Sequence, residues 1–402
     1  MPKIPFEPRR VAQLMSEGGC DALLAYTPRN FQYVTGFQNH FEVSGCAVAV
    51  LPLNAGDSAF MVIPDWVEMA AREATWIKDI RTTPVWMEVL PNGRLFDSGR
   101  LSVPKPVQTD FDTVSSLLAE GISERNLGTA RIGIESGAIP HRAVERIKSL
   151  LPRVKWVDAT NLFEQIRAVK TDAEIELLRS ATSLAEHGIR SLMHGRLTGS
   201  SPYQLRLKYQ EACVSWAIEN GEPHFQEAWA ICWAAGRFSR VVPEQPIVQP
   251  GDVVFVDCGA VLNGYSSDIG RSFVAGRLTE LQRRIATALK AGIDSAVAMV
   301  RPGVRMCDVY NAAQSAIREH HLDGYTRGHI GHSIGLGVGE FAPWFSPREE
   351  RELEPGMVLA IETPLYVPGL GGFQFEDDLV VTDDGCEVFN RLPRELFEID
   401  IA

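Results

Sequence analysis

The 402-residue sequence predicts two domains, an N-terminal α/β domain over residues 1–160 and an α+β domain over residues 161–402. Three observations carry this. In the first part, short apolar strands alternate with helical stretches, the pattern of a layered α/β domain. Beyond residue 170, two long helical stretches each open on a capping-box signature, and each is followed by a second helical stretch. Around these pairs lie apolar strands that carry isolated acids, which a buried sheet holds only at a cost.

In the N-terminal domain the strand patterns are "ALLAY" (22–26), "GCAVAVLPL" (45–53), "SAFMVIP" (58–64) and "RIGIES" (131–136). Helical patterns at "TVSSLLAEGI" (113–122) and "HRAVERIKSLL" (141–151) are interleaved with them. A closing strand, "VKWVDAT", ends near Thr160, and "NLFEQIRAVKTDAE" opens a helical connection.

The second domain starts from Thr171 with Glu174 ahead of "EIELLRSATSLAEHGIRSLM", and repeats the signature with Thr279 and Gln282 ahead of "LQRRIATALKAGIDSAVAMV". The partner helices are "SPYQLRLKYQEACVSWAIENG", with Pro202 suited to a first helical position, and "RPGVRMCDVYNAAQSAIREHHL". The shared helix, loop, helix order fits an internal duplication and equally fits two unrelated amphipathic pairs.

Composition narrows the function. A formal net charge of −12 and a pI near 5.3 lack the basic footprint that nucleic acid or an anionic membrane requires. No run approaches the roughly 18 apolar residues of a membrane span, and "MPKIPFEPRR" has no apolar signal core, so a cytoplasmic protein is expected. Seven scattered cysteines, none spaced C-x-x-C, indicate neither a disulfide framework nor a thiolate zinc site.

The acids form a pattern. "DVVFVDCGAVLNGYSSDIGRSFVAG" is a hairpin around Asn263-Gly264, the strongest two-residue turn signal. If Leu262 and Tyr265 flank the turn, Asp257 faces Gly270, and Asp268 becomes its diagonal neighbour about 7–8 Å away. The alternative, both aspartates in solvent, sits poorly with apolar Val254, Phe255, Val256 and Ile269 around them. Two further strands, "EPGMVLAIETPLYV" and "GGFQFEDDLVVTDDG", each hold an acid in an apolar run, Glu362 and Glu376. Alternation places Gln374, Glu376 and Asp378 on one face. Glycine-rich "TRGHIGHSIGLGVGEF" adds His332, with Gly328 and Gly331 allowing close backbone approach.

Four carboxylates balance two divalent cations, and ions roughly 3.5–4 Å apart can clamp and ionise a shared water. Oxygen-rich ligands with one imidazole favour manganese or cobalt over a thiolate-type zinc site, with zinc or iron as the alternatives. A dinucleotide reading of "GLGVGE" fails, because the spacing is G-x-G-x-G and no helix follows.

In this order, "DCGAVLNGYSSDIGR", "GHSIGL", "EPGMVLAIETP" and "GGFQFEDDLVVTDDG" resemble the pita-bread metallohydrolases: Xaa-Pro dipeptidase, aminopeptidase P, methionine aminopeptidase and the metal-free creatinase. "CDALLAYTPRNFQYVTGF" and "IRAVKTDAEIELLRSAT" resemble the dipeptidase and creatinase branch. The resemblance implies a C-terminal pita-bread domain with pseudo-twofold symmetry behind a creatinase-type N-terminal α/β domain. It implies Asp257, Asp268, His332, Glu362 and Glu376 as ligands of two divalent ions, with Asp268 and Glu376 bridging and Glu362 shuttling a proton. The expected activity is cleavage of a peptide or amide C–N bond in a small substrate, by default an Xaa-Pro dipeptide, in a homodimer. The alternatives are a creatinase-like hydrolase or lyase acting on a small zwitterion, and a non-catalytic pita-bread binding module.

Three positions depart from the peptidases. The second histidine of the family, seven residues after the ligand, is Gly339 here, and Gly335, Gly337 and Gly339 alternate as though one strand face were bare. A family histidine before the first metal strand is replaced by Arg240, which either binds a substrate carboxylate or makes a surface salt bridge. An arginine two residues before the second glutamate is Gln374. His329 and His224 are candidates for proton transfer, or else structural histidines.

Overall fold

The computed structural model describes residues 3–39, 43–54, 58–87, 105–234, 236, 246–340 and 342–399. The chain divides into two compact units, residues 1–167 and 168–402. Arg240 lies outside the described residues.

In the first unit, six strands form one sheet among the described residues: β1 (Ala22–Ala25), β2 (Val48–Pro52), β3 (Phe60–Pro64), β4 (Asp79–Thr83), β5 (Arg131–Ile134) and β6 (Lys155–Asp158), ordered β4-β3-β2-β1-β5-β6. The β1–β2 and β2–β3 pairs are antiparallel, and the other pairs are parallel. β1, β2 and β3 are wholly apolar and buried, which is why the sequence displays them. β4, "DIRTT", is an edge strand of polar composition and carries no comparable signal. Helices α1 (Pro8–Glu17), α2 (Pro28–Thr35), α3 (Glu68–Ala74), α4 (Phe111–Glu124), α5 (His141–Leu150) and α6 (Thr160–Ala168) alternate with the strands. The buried Glu135 carboxylate takes the N–H groups of Tyr26 and Thr27 at 2.9 and 3.0 Å, fixing the start of α2.

The second unit opens with α7 (Asp172–Met193) and α8 (Pro202–Asn220). Strands β7 (Phe225–Ala234), β8 (Val253–Leu262), β9 (Tyr265–Ser266) and β10 (Ile269–Ala275) follow. The order then repeats with α9 (Glu280–Met299), α10 (Met306–Glu319), β11 (Gly331–Ser333), β12 (Val358–Glu362), β13 (Leu365–Val367), β14 (Gly371–Phe373) and β15 (Phe375–Val381). Two short strands, β16 (Cys386–Val388) and β17 (Phe397–Ile399), close the chain.

Both expected capping boxes are formed, at Thr171 with Glu174 and at Thr279 with Gln282. A third, Ser201 with Gln204, starts α8 with Pro202 in its first turn. The main sheet runs β11-β12-β15-β10-β8-β7. It reads as two three-strand halves meeting at β15 and β10, with the first strand of each half at an edge. Each helix pair builds a core with its own half: α7 and α8 with β7 and β8, α9 and α10 with β12 and β15. That is the pseudo-twofold pita-bread arrangement. Among the described residues no helix is long and apolar enough to cross a membrane.

Candidate metal centre

Register assembles the acids. Asn263 and Gly264 have φ of 47° and 84°, the left-handed pair that a two-residue hairpin turn demands. Leu262 therefore pairs with Tyr265, and Asp257 stands opposite Gly270. Gly270 in turn faces Glu376 across β10 and β15, and Glu376 faces Glu362 across β15 and β12. Asp257, Gly270, Glu376 and Glu362 thus form one row across four adjacent strands. Gly270 keeps the row open: a Cβ there would lie 2.6 Å from Gln374 Nε2 and 2.9 Å from Glu376 Oε2.

Asp268 sits in the break between β9 and β10, where its N–H donates to Asp378 Oδ2 at 3.1 Å. Thr182 Oγ holds the same Asp378 oxygen at 2.7 Å. Asp378 thereby fixes the backbone of Asp268.

His332 enters from β11, next to β12. Gly331, at φ 145°, lets β11 lie against β12; a Cβ there would meet the Ala360 carbonyl oxygen at 2.2 Å. Gly328, expected to serve the same purpose, has no atom within 4 Å of its Cβ position. The Nδ1 of His332 lies 2.9 Å from the Ser333 carbonyl oxygen. A carbonyl can only accept, so Nδ1 carries the proton and Nε2 presents its lone pair, 3.5 Å from Asp268 Oδ2.

One ligand atom each from Asp268, His332 and Glu376 lies within 4.8 Å of the others. Burial pushes the carboxyls of Asp268 and Glu376 well above the usual carboxylate range; the charges of Asp257, Asp378 and Glu362 raise Asp268 further, and those of Asp268, Asp257 and Glu362 raise Glu376. Burial likewise raises Asp378 to about 8, and lowers His332 to about 4. Asp268 Oδ1 is buried without a hydrogen-bond donor among the described residues. Crowded, under-bonded acid oxygens with one neutral imidazole nitrogen are the donor set of an oxygen-preferring divalent cation, which would favour the ionised form of every one of them.

Glu362 and Asp257 flank this cluster by register. The carboxylate Oε1 of Glu362 takes Arg327 Nη2 at 2.8 Å and lies 3.4 Å from His329 Nδ1. Burial raises Glu362, and the Arg327 guanidinium partly offsets it. His329 is half-buried, edge-on to Trp344 at 4.6 Å, and lowered to about 4 chiefly by burial, then by Arg327.

The structure separates the remaining candidates. His224 is exposed at the turn end of the hairpin, where its carbonyl takes the Asn263 N–H at 2.8 Å. Asp257 pairs with Ile231, so His224 stands about 20 Å away along the strand and is not brought to the cluster. Gln374 turns inward, its Nε2 donating to Glu376 Oε2, so its amide is committed to a cluster residue.

The bare strand face expected at Gly335, Gly337 and Gly339 does not form. Beyond Ser333 the chain turns, with Gly337 and Gly339 at φ 76° and 109°. It wraps the Glu340 carboxylate, whose Oε2 takes the Leu336 N–H at 3.0 Å. Glycines two apart suit a strand and successive turns alike, and an acid needing donors selects the turns. This loop and Trp229 line a small, half-open pocket that reaches Asp268 and His332. Arg327 and Trp344 stand beside these residues without a sequence signal of their own. Arg327 stands two residues before His329 in the quoted glycine stretch, and nothing local marks its partner 35 residues on.

Residues 176–383 match metallopeptidase family M24, and residues 9–169 match the creatinase/prolidase N-terminal domain. The Xaa-Pro dipeptidase of Pyrococcus horikoshii is 27% identical over 389 residues, covering 96% of this chain and 97% of that protein. That of Pyrococcus furiosus is 28% identical over 271 residues, 67% of this chain and 76% of that protein. Among solved structures, an Xaa-Pro dipeptidase from Bacillus anthracis has a TM-score of 0.79 at 22% identity, covering 98% of this chain and 99% of that one. An X-Pro aminopeptidase from Thermotoga maritima has a TM-score of 0.76 at 21% identity, with the same coverage. At those identities the structures establish the shared fold. The family implies divalent metal ions. With the family match spanning more than half of its length, the chain belongs to metallopeptidase family M24: it is a metal-dependent peptide hydrolase with a creatinase/prolidase N-terminal domain.

Proposed function

We propose that this enzyme holds two divalent ions, manganese or cobalt, on Asp257, Asp268, His332, Glu362 and Glu376, and hydrolyses small peptides, with Xaa-Pro dipeptides as the reference substrate. The observation that carries the reading is the row of acids over four strands, capped by Asp268 and by a histidine whose Nε2 faces it. A bound pair of such ions supplies Lewis acidity and brings the pKa of water towards about 7.

The chain's own residues do the rest. Asp268 and Glu376 lie at the centre and are assigned to both ions. Asp378 and Gln374 hold them in place through one hydrogen bond each. Glu362 is assigned to proton transfer: Arg327 holds its Oε1, His329 Nδ1 lies 3.4 Å from the same oxygen, and we assign Oε2 to the cluster side. His329 stands beside it as the second proton carrier. The Arg327 side chain is 21% exposed beside Glu362, so we assign the substrate carboxylate to this arginine in place of neutral Gln374.

The test is proline release from a panel of Xaa-Pro dipeptides by manganese-reconstituted protein, with two ions per chain confirmed in the same sample. Release establishes the peptidase reading. No release from fully loaded protein overturns Xaa-Pro dipeptides as the substrate in favour of a second reading, another small zwitterion, which Gly339 and the committed amide of Gln374 support.

A further inference from the structure

Lys170 and Glu340 form an ion pair 3.1 Å long whose side chains are 1% and 3% exposed. Taking two charges so fully out of water is costly, and an apolar pair of similar size would often serve stability better. Its geometry shows what an apolar pair could not do. Lys170 Nζ also donates to Ser333 Oγ at 2.9 Å and to the Ala168 carbonyl at 3.4 Å. Glu340 spends one oxygen on Lys170 and the other on the Leu336 N–H. At Gly335 a Cβ would lie 2.7 Å from the Glu340 carboxylate, so the chain has given up a side chain to admit it.

The base of the lysine is fixed as well. Its N–H donates to the Gly356 carbonyl at 2.9 Å, and Val169 bridges to Met357, just ahead of β12. One residue therefore ties the lead-in of β12, the end of β11 and the 334–340 loop. Ser333 directly follows His332, and its carbonyl fixes His332 Nδ1. The far side of the loop is tied too. Glu174 Oε2 takes the Thr171 N–H at 2.8 Å, its Oε1 takes the Tyr265 hydroxyl at 3.0 Å, and Tyr265 bridges to Leu336.

We propose that the buried Lys170–Glu340 pair is a positioning latch that sets the His332 imidazole and the cavity wall. The proposal rests on the reading of His332 as a metal ligand. Partners of this kind typically change metal affinity about 10- to 100-fold when removed.

The test titrates metal-free protein with Co²⁺ alone, following its visible absorption, beside a thermal melt. Lys170→Met strands Glu340 and should lower Tm by about 10 °C. The double variant Lys170→Met/Glu340→Gln removes both charges, should recover most of that loss, and carries the test if the single variant does not fold. The latch predicts that the double variant still binds Co²⁺ about 10- to 100-fold more weakly, with an altered spectrum, despite its recovered Tm. Parental affinity and spectrum in the double variant would overturn it. His332→Ala is titrated alongside. If it loses affinity while the double variant does not, only the latch fails; if it too binds Co²⁺ as the parent does, the ligand reading falls and takes the latch with it.

Discussion

Replacing Gly270 by alanine tests the metal centre where the fold should tolerate a change. Gly270 is in β10 with no left-handed φ, so alanine adds no backbone strain. Its Cβ would lie 2.6 Å from Gln374 Nε2 and 2.9 Å from Glu376 Oε2, where ordinary contact begins at 3.4 Å. The amide end must therefore retreat by about 0.8 Å and the carboxylate by about 0.5 Å. Both are side-chain ends, so the stability cost should stay near 1 kcal/mol, or about 2–4 °C in Tm. The carboxylate is a proposed shared ligand, and a displacement approaching 1 Å can cost about 10²-fold in rate. We expect kcat/KM to fall about 10- to 100-fold, equivalent to about 1.4–2.7 kcal/mol. The assay is proline release by the manganese-loaded variant, with elemental analysis for ions per chain and a melt of the same sample. An unchanged kcat/KM with two ions bound would refute the placement of Glu376 at the reacting centre.

Three further outcomes follow from the same reasoning. Asp268→Asn removes one of the crowded buried carboxyls, so the metal-free variant should melt about 2–4 °C above the metal-free parent, with the order reversed once manganese is added; differential scanning fluorimetry reads both. Arg271→Met removes a fully buried guanidinium whose Nη1 holds the carbonyls of Gly270 and Glu376 at 2.7 Å each and whose Nη2 pairs with Asp377 at 2.6 Å. A loss of about 3–5 kcal/mol is expected, visible as a collapse of soluble yield or Tm. Asp79 supplies a pH dependence. Burial would raise its carboxyl, but hydrogen bonds from Arg125 and Arg81 outweigh it and hold the group below its ordinary value. Its stabilisation is then full above the unfolded pKa of about 4 and is lost as pH falls through the lower folded value. Asp79→Asn should be slightly less stable than the parent at pH 7, by at most about 1 kcal/mol, and equal to it near pH 2; parallel melts across that range would show a constant gap if the pairing contributes nothing.

The features legible in the residue pattern are local. Asn263-Gly264 dictates a turn whose two left-handed residues set the register of β8 on β10, and that register places Asp257 opposite Gly270. The alternation of β15 puts Glu376 and Asp378 on one side, and the capping boxes start α7 and α9 where the spacing says they must. These features depend on neighbours within a few residues, which is the range over which residue pattern specifies conformation. The remaining features arise only on packing. Edge strand β4 exists because β3 offers it a partner, although its own residues are polar. The glycine-spaced segment after His332 turns because the Glu340 carboxylate needs the Leu336 N–H. Lys170 finds Glu340 across 170 residues, and Arg327 finds Glu362 across 35. A long-range charge partner is selected by which groups the packed core leaves unsolvated together, and that choice exists only once the sheet has closed around them.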